Sequence, residues 1–184
     1  MASPLEYLKE ERLKARLNRR DPEAFLEAHA WLAPKLYRHA LLRLREKEAA
    51  EDVVQTAFLN AWEYLGDPEI KLTYVKAFFY RIVNNLIVDA IRGAVRERRA
   101  EEPVETLPVL TDSASRAVEE QFDLEQVLDE LGEAKPFERD ILMWRYLDGL
   151  SIKEISFLTE KTTNHIAVLI HRTLKALREK RTSA

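Results

Sequence analysis

The chain has 184 residues, 46% hydrophobic and 33% charged, with 29 lysines and arginines against 32 acids and a formal net charge of −3. That length allows one or two domains, and the apolar share is too high for a wholly disordered chain. With no cysteine, disulfides, thiol chemistry and cysteine-ligated metal are excluded; four glycines leave no Gly-rich phosphate loop, and the longest apolar run, 166–170, is far short of a membrane span.

The first residues, MASPLEYLKEERLK, carry charge where a secretory signal would be apolar, so a cytoplasmic protein without membrane insertion is expected. Phe25, Ala28, Leu32, Leu36, Ala40 and Leu44 recur every three or four residues and predict a helix, with Asp21 as N-cap and Pro22 in its first turn. Pro34 predicts a kink or restart within it. A second helix is predicted over about 49–65, with Val54, Ala57, Phe58, Ala61 and Leu65 on its inner face. A loop over 66–73 leads to a long helix at about 74–98, with Val75, Phe78 or Phe79, Ile82, Leu86 and Ala90 inward. Prolines and acids over 100–115 break every period and predict a linker. Helices follow at about 116–131, from Pro136 to Gly149, and from Ser151, where Glu154 completes a capping box, to about Thr159. The last helix is predicted from 162–164 to about 180. The fold class is all-α: two small helical domains, residues 1–99 and 116–184, joined by the acidic linker 100–115.

The total charge conceals an uneven distribution. Residues 1–100 are net +3, residues 101–130 are net −9, and residues 131–184 are net +3. Residues 71–99 and 161–181 are each net +5. Salt screens charges over about 8 Å at physiological strength, so a remote acidic segment does not cancel these basic patches.

Three surfaces carry candidate chemistry. The last two helices have the dimensions of a helix-turn-helix. The final one sets Ile166, Ile170, Leu174 and Leu177 against an outer face of Asn164, Val168, His171, Arg172 and Lys175. Polar residues at the helix start and basic ones beyond suit base edges and phosphates respectively, although an ordinary solvated amphipathic helix has the same pattern. On the long helix, Asn85, Asp89, Arg92, Arg96 and Arg99 share a face suited to a phosphate backbone, and Tyr74, Phe78, Phe79 and Tyr80 offer stacking surface or core. On the second helix, Asp52, Gln55, Leu59 and Trp62 form a polar and apolar stripe that fits a protein partner, with burial of Trp62 in the domain as the competing reading.

The run AEDVVQTAFLNAW (50–62) resembles the most recognisable motif of bacterial sigma-70 factors, in the form found in the small extracytoplasmic-function (ECF) group. DPEAFLEAHAWLAPKLYRHA resembles the opening segment of that group, KAFFYRIVNNLIVDAIR its promoter-melting helix, and FERDILMWRYLDGLSIKEISFLTE with HRTLKALRE its C-terminal DNA-binding domain. The resemblance spans about 21–180. It implies a transcription initiation factor that binds core RNA polymerase and directs it to promoters, without catalysis, metal or cofactor. It places core-polymerase contacts at Asp52, Gln55, Phe58, Leu59 and Trp62. It places −10 contacts at Tyr80, Asn84, Asn85, Asp89, Arg92 and Arg96, with the 66–73 loop capturing a flipped base. Contacts to the −35 element fall at Thr163, Asn164, His165, Val168, His171, Arg172 and Lys175. Core polymerase, promoter DNA and an anti-sigma factor are the implied partners, and the acidic tether corresponds to the family's linker through the RNA exit path.

Three departures stand out. The recognition helix has an apolar centre around Val168, the turn 159–161 lacks the family's frequent glycine, and Phe78 replaces a tryptophan. Two alternatives therefore accompany the main reading. One is a sigma-like regulator that binds polymerase or another protein without independent −35 recognition. The other is a plain helix-turn-helix repressor, which leaves the 52–62 stripe unexplained. An enzyme is the least favoured class, because the four histidines show no ligand spacing and no nucleophile motif is present.

Overall fold

A computed structural model describes residues 4–67, 69–101 and 135–183. The predicted 116–131 helix and most of the acidic linker lie outside the described residues. Helix α1 is Pro4–Leu17, α2 Pro22–Leu44, α3 Lys47–Leu65 and α4 Val75–Glu101. Helix α5, Pro136–Leu142, runs into a π-helical turn, Met143–Leu147, and α6, Ile152–Thr159, and α7, Thr163–Ser183, complete the fold. Among the described residues there is no strand.

Local chemistry sets the boundaries. Asp21 Oδ1 accepts from the amides of Glu23 at 2.9 Å and Ala24 at 3.3 Å, which satisfies two of the donors left open at the start of α2. Its other carboxylate oxygen takes the Arg16 Nε–H at 2.7 Å, while Arg16 Nη1 reaches Glu27 at 2.6 Å, so one guanidinium ties α1 to α2. That hydrogen bond from Arg16 is also the main reason the Asp21 carboxyl titrates below its ordinary range. Pro34 does not break α2, which continues as one helix to Leu44. The amide it lacks would have bonded to the Ala30 carbonyl, and both residues lie on the exposed side, where water is at hand.

Helices α2, α3 and α4 pack around Ala28, Leu32 and Leu36, Ala57, Phe58 and Ala61, and Val75, Phe79, Val83 and Ile87. On α4 the deepest stripe is thus Val75–Phe79–Val83–Ile87, while Ile82, Leu86 and Ala90, expected to face inward, are half-buried. Helix α1, not anticipated, adds Leu13 and Leu17 to this core.

In the C-terminal unit, Ile141, Met143, Trp144, Leu150, Ile155 and Ile166 are buried. The π turn is closed by the Asp148 amide donating to the Met143 carbonyl at 3.0 Å. It ends at Gly149, whose φ of +71° only glycine adopts without strain. This turn directs Asp148 inward and leaves Tyr146 at the surface. The two units lie directly against each other: α4 packs on α6, and the polar crossings Arg38–Asp148, Arg43–Asp140 and Lys76–Glu154 join them.

Candidate nucleic-acid and polymerase interfaces

The outer face of α3 presents Asp52, Gln55, Leu59 and Trp62 to solvent. Leu59 is 66% exposed and Trp62 48% exposed, an apolar pair larger than a solvated helix face needs. Trp62 is held in place by the edge of Phe25, with ring centroids 5.0 Å apart. Phe58 does not join this face. Only 5% exposed, it packs on Phe79 at 5.0 Å and His29 at 4.5 Å, so its place is the floor beneath that face. A step of 100° separates it from Leu59, enough to put one residue in the core and its neighbour in water.

Between α3, the loop after it and α4 lies a cavity of about 440 Å³. Asn60, Tyr64, Lys71, Tyr74, Phe78, Arg81, Asn85 and Asp89 wall it, and Phe157 of α6 closes one side. The loop is shaped by two asparagine and aspartate contacts. The Asn18 amide grips the Leu72 backbone from both sides, accepting from its N–H at 2.7 Å and donating to its carbonyl at 3.2 Å. Asp67 Oδ1 takes the Glu69 amide at 2.9 Å. Tyr64 and Phe78, 5.5 Å apart, line the interior with two tilted aromatic rings, a surface on which a planar base can stack.

Along α4, Asn85 and Asp89 at the cavity wall and Arg92 and Arg96 beyond it are all exposed. Asp89 and Arg92 lie 3.7 Å apart in water, a pairing weak enough to yield to a phosphate. Tyr80 and Asn84 behave differently. Tyr80 is fully buried against His39, ring centroids 5.3 Å apart, and burial together with the negative charge of Asp148 drives its hydroxyl pKa upward. It cannot touch DNA from there, which corrects its assignment to the −10 surface. Asn84 is half-buried, so only part of it reaches solvent.

The third surface is the helix-turn-helix. The capping box is present, with the Ser151 amide donating to Glu154 Oε2 at 2.7 Å and the Glu154 amide to Ser151 Oγ at 3.2 Å. Glu160, in the turn 159–161 that has no glycine, takes the left-handed conformation at φ 56°. Thr162 Oγ1 caps α7 by accepting from the His165 amide at 3.2 Å. Ile166 and Ile170 anchor the helix, and Thr163, Asn164, His165, Val168, His171, Arg172 and Lys175 are all exposed.

Residues 30–97 match the sigma-70 region 2 family and residues 124–177 the sigma-70 region 4 family. The chain is 30% identical over 166 residues to the ECF RNA polymerase sigma factor SigD of Mycobacterium tuberculosis, covering 86% of this chain and 77% of that protein. The chain belongs to the ECF group of sigma-70 factors. It is 28% identical over 149 residues to SigV of Bacillus subtilis, covering 77% of this chain and 81% of the relative. Its fold is that of CnrH, solved with the cytosolic domain of CnrY, with a TM-score of 0.65 at 20% identity over 95% of this chain and 97% of that one. RpoE of Bartonella quintana, solved with the anti-sigma factor NepR, gives 0.63 at 20% identity over 84% and 94%. This sigma factor is a promoter-directing transcription initiation factor, of a family of transcription factors rather than enzymes. Among the described residues no helix is long and apolar enough to cross a membrane, and no group of three or more side chains is placed to hold a metal ion.

Lys71 and Arg81 escaped the sequence reading. Arg81 was legible in principle, since Phe78, Arg81, Asn85 and Asp89 follow helical spacing along one face. Lys71 sits in a loop, where no period exists to read.

Proposed function

We propose that residues 1–99 carry polymerase docking and −10 engagement, and residues 116–184 carry −35 reading, on either side of the acidic linker. Asp52, Gln55, Leu59 and Trp62 meet core polymerase. The cavity of Tyr64 and Phe78 receives an unpaired base, with Asn60 and Asn85 offering amide donors and acceptors to its edge. Flipping costs a few kcal/mol of unstacking, which stacking on aromatic rings at about 1–3 kcal/mol per base offsets. Arg92 and Arg96 follow the strand backbone, and Asn85 and Asp89 line its path. On α7, Thr163, Asn164, His165 and Val168 face base edges, while His171, Arg172 and Lys175 face phosphates.

The observation that carries this reading is the aromatic and amide-walled cavity opening beside the exposed Asn85–Arg96 face. Two of the solved relatives are complexes, CnrH with the CnrY cytosolic domain and RpoE with NepR. We include an anti-sigma protein among the partners of this chain on that ground, and the cytoplasm as its place of work, with core polymerase. Val168, 49% exposed at the centre of the recognition face, favours contact with a thymine methyl.

The test is core-polymerase pull-down followed by in-vitro transcription from a genomic library. Asp52→Ala with Gln55→Ala weakens the pull-down, and Arg172→Ala lowers the salt slope of promoter binding by about one unit. Normal polymerase binding by the double variant overturns the docking face, and an unchanged slope moves α7 to a protein-binding role.

A further inference from the structure

Asn18 stands just past the end of α1, 54 positions before Leu72, yet its side chain is what holds the loop that walls the cavity. The turn that carries it is closed locally. The backbone N–H of Asn18 donates to the Lys14 carbonyl at 3.0 Å, that of Arg20 to Leu17 at 2.9 Å and that of Asp21 to Arg16 at 3.2 Å. Arg20 takes the left-handed conformation, φ 59°, where the chain turns toward α2. Arg16 spans the turn, reaching Asp21 at 2.7 Å and Glu27 at 2.6 Å. Leu13 and Leu17 bury α1 against the rest of the unit. Asn18 is therefore presented from a fixed base.

A primary amide offers the same donor and acceptor as a peptide group. By accepting from the Leu72 N–H at 2.7 Å and donating to the Leu72 carbonyl at 3.2 Å, Asn18 pairs with this residue as an adjacent strand does. Leu72 itself is 6% exposed and part of the apolar core. Its neighbours Lys71 and Thr73 are both exposed, and both line the cavity. Their directions thus depend on one residue, which is anchored inward by its side chain and held along its backbone by Asn18. The other ties of this loop lie near its start, where Asp67 accepts from the amides of Glu69 at 2.9 Å and Ile70 at 3.3 Å.

We propose that Asn18 is a positioning residue that sets the base specificity of the cavity. Without touching the base, it holds Lys71 and Thr73 against one side of it, while Asn60 and Asn85 approach from the helical walls. Side chains on α3 and α4 are placed by the helices themselves. The loop has no such ladder, so its half of the site is only as precise as the clamp on Leu72. A base edge is told from another by donors and acceptors that must be placed to about 0.5 Å. A loop free to move further accepts more than one base. The inference rests on the functional reading above for the identity of the cavity's ligand.

The test is transcription by the full chain with core polymerase from a promoter recovered from the genomic library. Its −10 positions are randomised, and a barcode in the transcribed region identifies each template. Asn60→Ala and Asn85→Ala mark the position that the cavity reads, as the one whose base preference they flatten. One base of a recognised site is worth roughly 5- to 140-fold in affinity. Asn18→Ala is expected to reduce the preference at the marked position about tenfold, with preferences in the −35 element as in the wild type. A purely structural role lowers output from every template alike and shifts no preference; that result, or an unchanged preference, overturns the assignment.

A double-mutant cycle tests the route through the loop. Thr73→Ala should reduce the preference in the wild-type background and reduce it far less once Asn18→Ala has freed the loop. Losses that simply multiply overturn positioning through the loop. Where Asn18→Ala does not pull down core polymerase, Asn18→Gln takes its place in both experiments, since it keeps the two amide groups but displaces them by a methylene. If no position responds to Asn60→Ala or Asn85→Ala, the base-binding reading falls and this proposal with it. A position that responds to them and not to the Asn18 variant overturns the clamp alone.

Discussion

In the N-terminal unit, Leu32 and Leu36 from α2, Ala57 and Ala61 from α3, and Phe79, Val83 and Ile87 from α4 converge with almost no exposure. The described part of the C-terminal unit also buries apolar side chains, but two of its buried groups, Asp148 and Glu154, are acids directed at cations of the other unit. The first unit is held by apolar burial; the second joins it both through charge pairs and through apolar contact, since the buried side chains of the two form one continuous cluster. Removing charges from water offsets much of their attraction, so the charged contacts between the units contribute less than the number of pairs suggests.

The sharpest way to break this contrast is to truncate one residue of each kind. Phe79→Ala, deep in the N-terminal core, should cost about 3–5 kcal/mol in urea denaturation. Asp148→Ala should cost less, roughly 1–2 kcal/mol, because separation of the units lets water reach Arg38 and His39. Equal losses would mean that the two units form one inseparable core.

A smaller effect tests the backbone alone. Arg45 closes α2 in the left-handed conformation at φ 57°, with its amide donating to the Leu41 carbonyl at 2.8 Å. Arg45→Gly should raise thermal stability by up to about 1 kcal/mol by relieving that strain, with no change in the scattering of the free protein. A loss of stability would show that the arginine side chain contributes more than its backbone costs.

The smallest expected effect is a pH dependence of folding stability. Burial pushes the carboxyl of Glu10 above its ordinary range, opposed by Lys76 and reinforced by Glu154. Burial likewise raises Asp140, opposed by Arg43, His39 and Arg139. Between the ordinary carboxylate range and these raised values, the folded chain binds more protons than the unfolded one, so stability falls as pH rises through that window. Folding stability should therefore rise on mild acidification through that window, read by urea denaturation, and Glu10→Gln should flatten the response. Stability that falls on mild acidification would reverse the sign and count against this account.

Much of the local structure was legible in the residues. Asp21 and Pro22 mark the start of α2, Ser151 and Glu154 form the capping box, and Val54, Ala57, Ala61 and Leu65 are buried as their spacing requires. Helix α1 escaped notice because its run is dominated by charge, and its burial depends on Leu13 and Leu17 finding α2. The π turn escaped because five residues of mixed polarity carry no distinguishable period. Spacing sets Phe58 on the inner face of its helix, where it is buried, and only the resemblance counts it among the polymerase contacts; Tyr80, offered by the sequence as stacking surface or core, is core, because its ring meets a partner that periodicity does not reveal. For Tyr80 that partner is His39, brought by a different helix.

The sequence by itself determined α2, α3, α4, α6 and α7, the Asp21 and Ser151 caps, the basic and acidic distribution and the family, because each of these is written in residues within a turn or two of one another or in motifs of contiguous chain. Which amphipathic face lies against which was decided only by the tertiary structure. His39 and Asp148 stand 109 positions apart, and no local period links them. Their pairing depends on how the whole chain returns upon itself, and with it the contact of Phe157 on the cavity that the N-terminal unit builds.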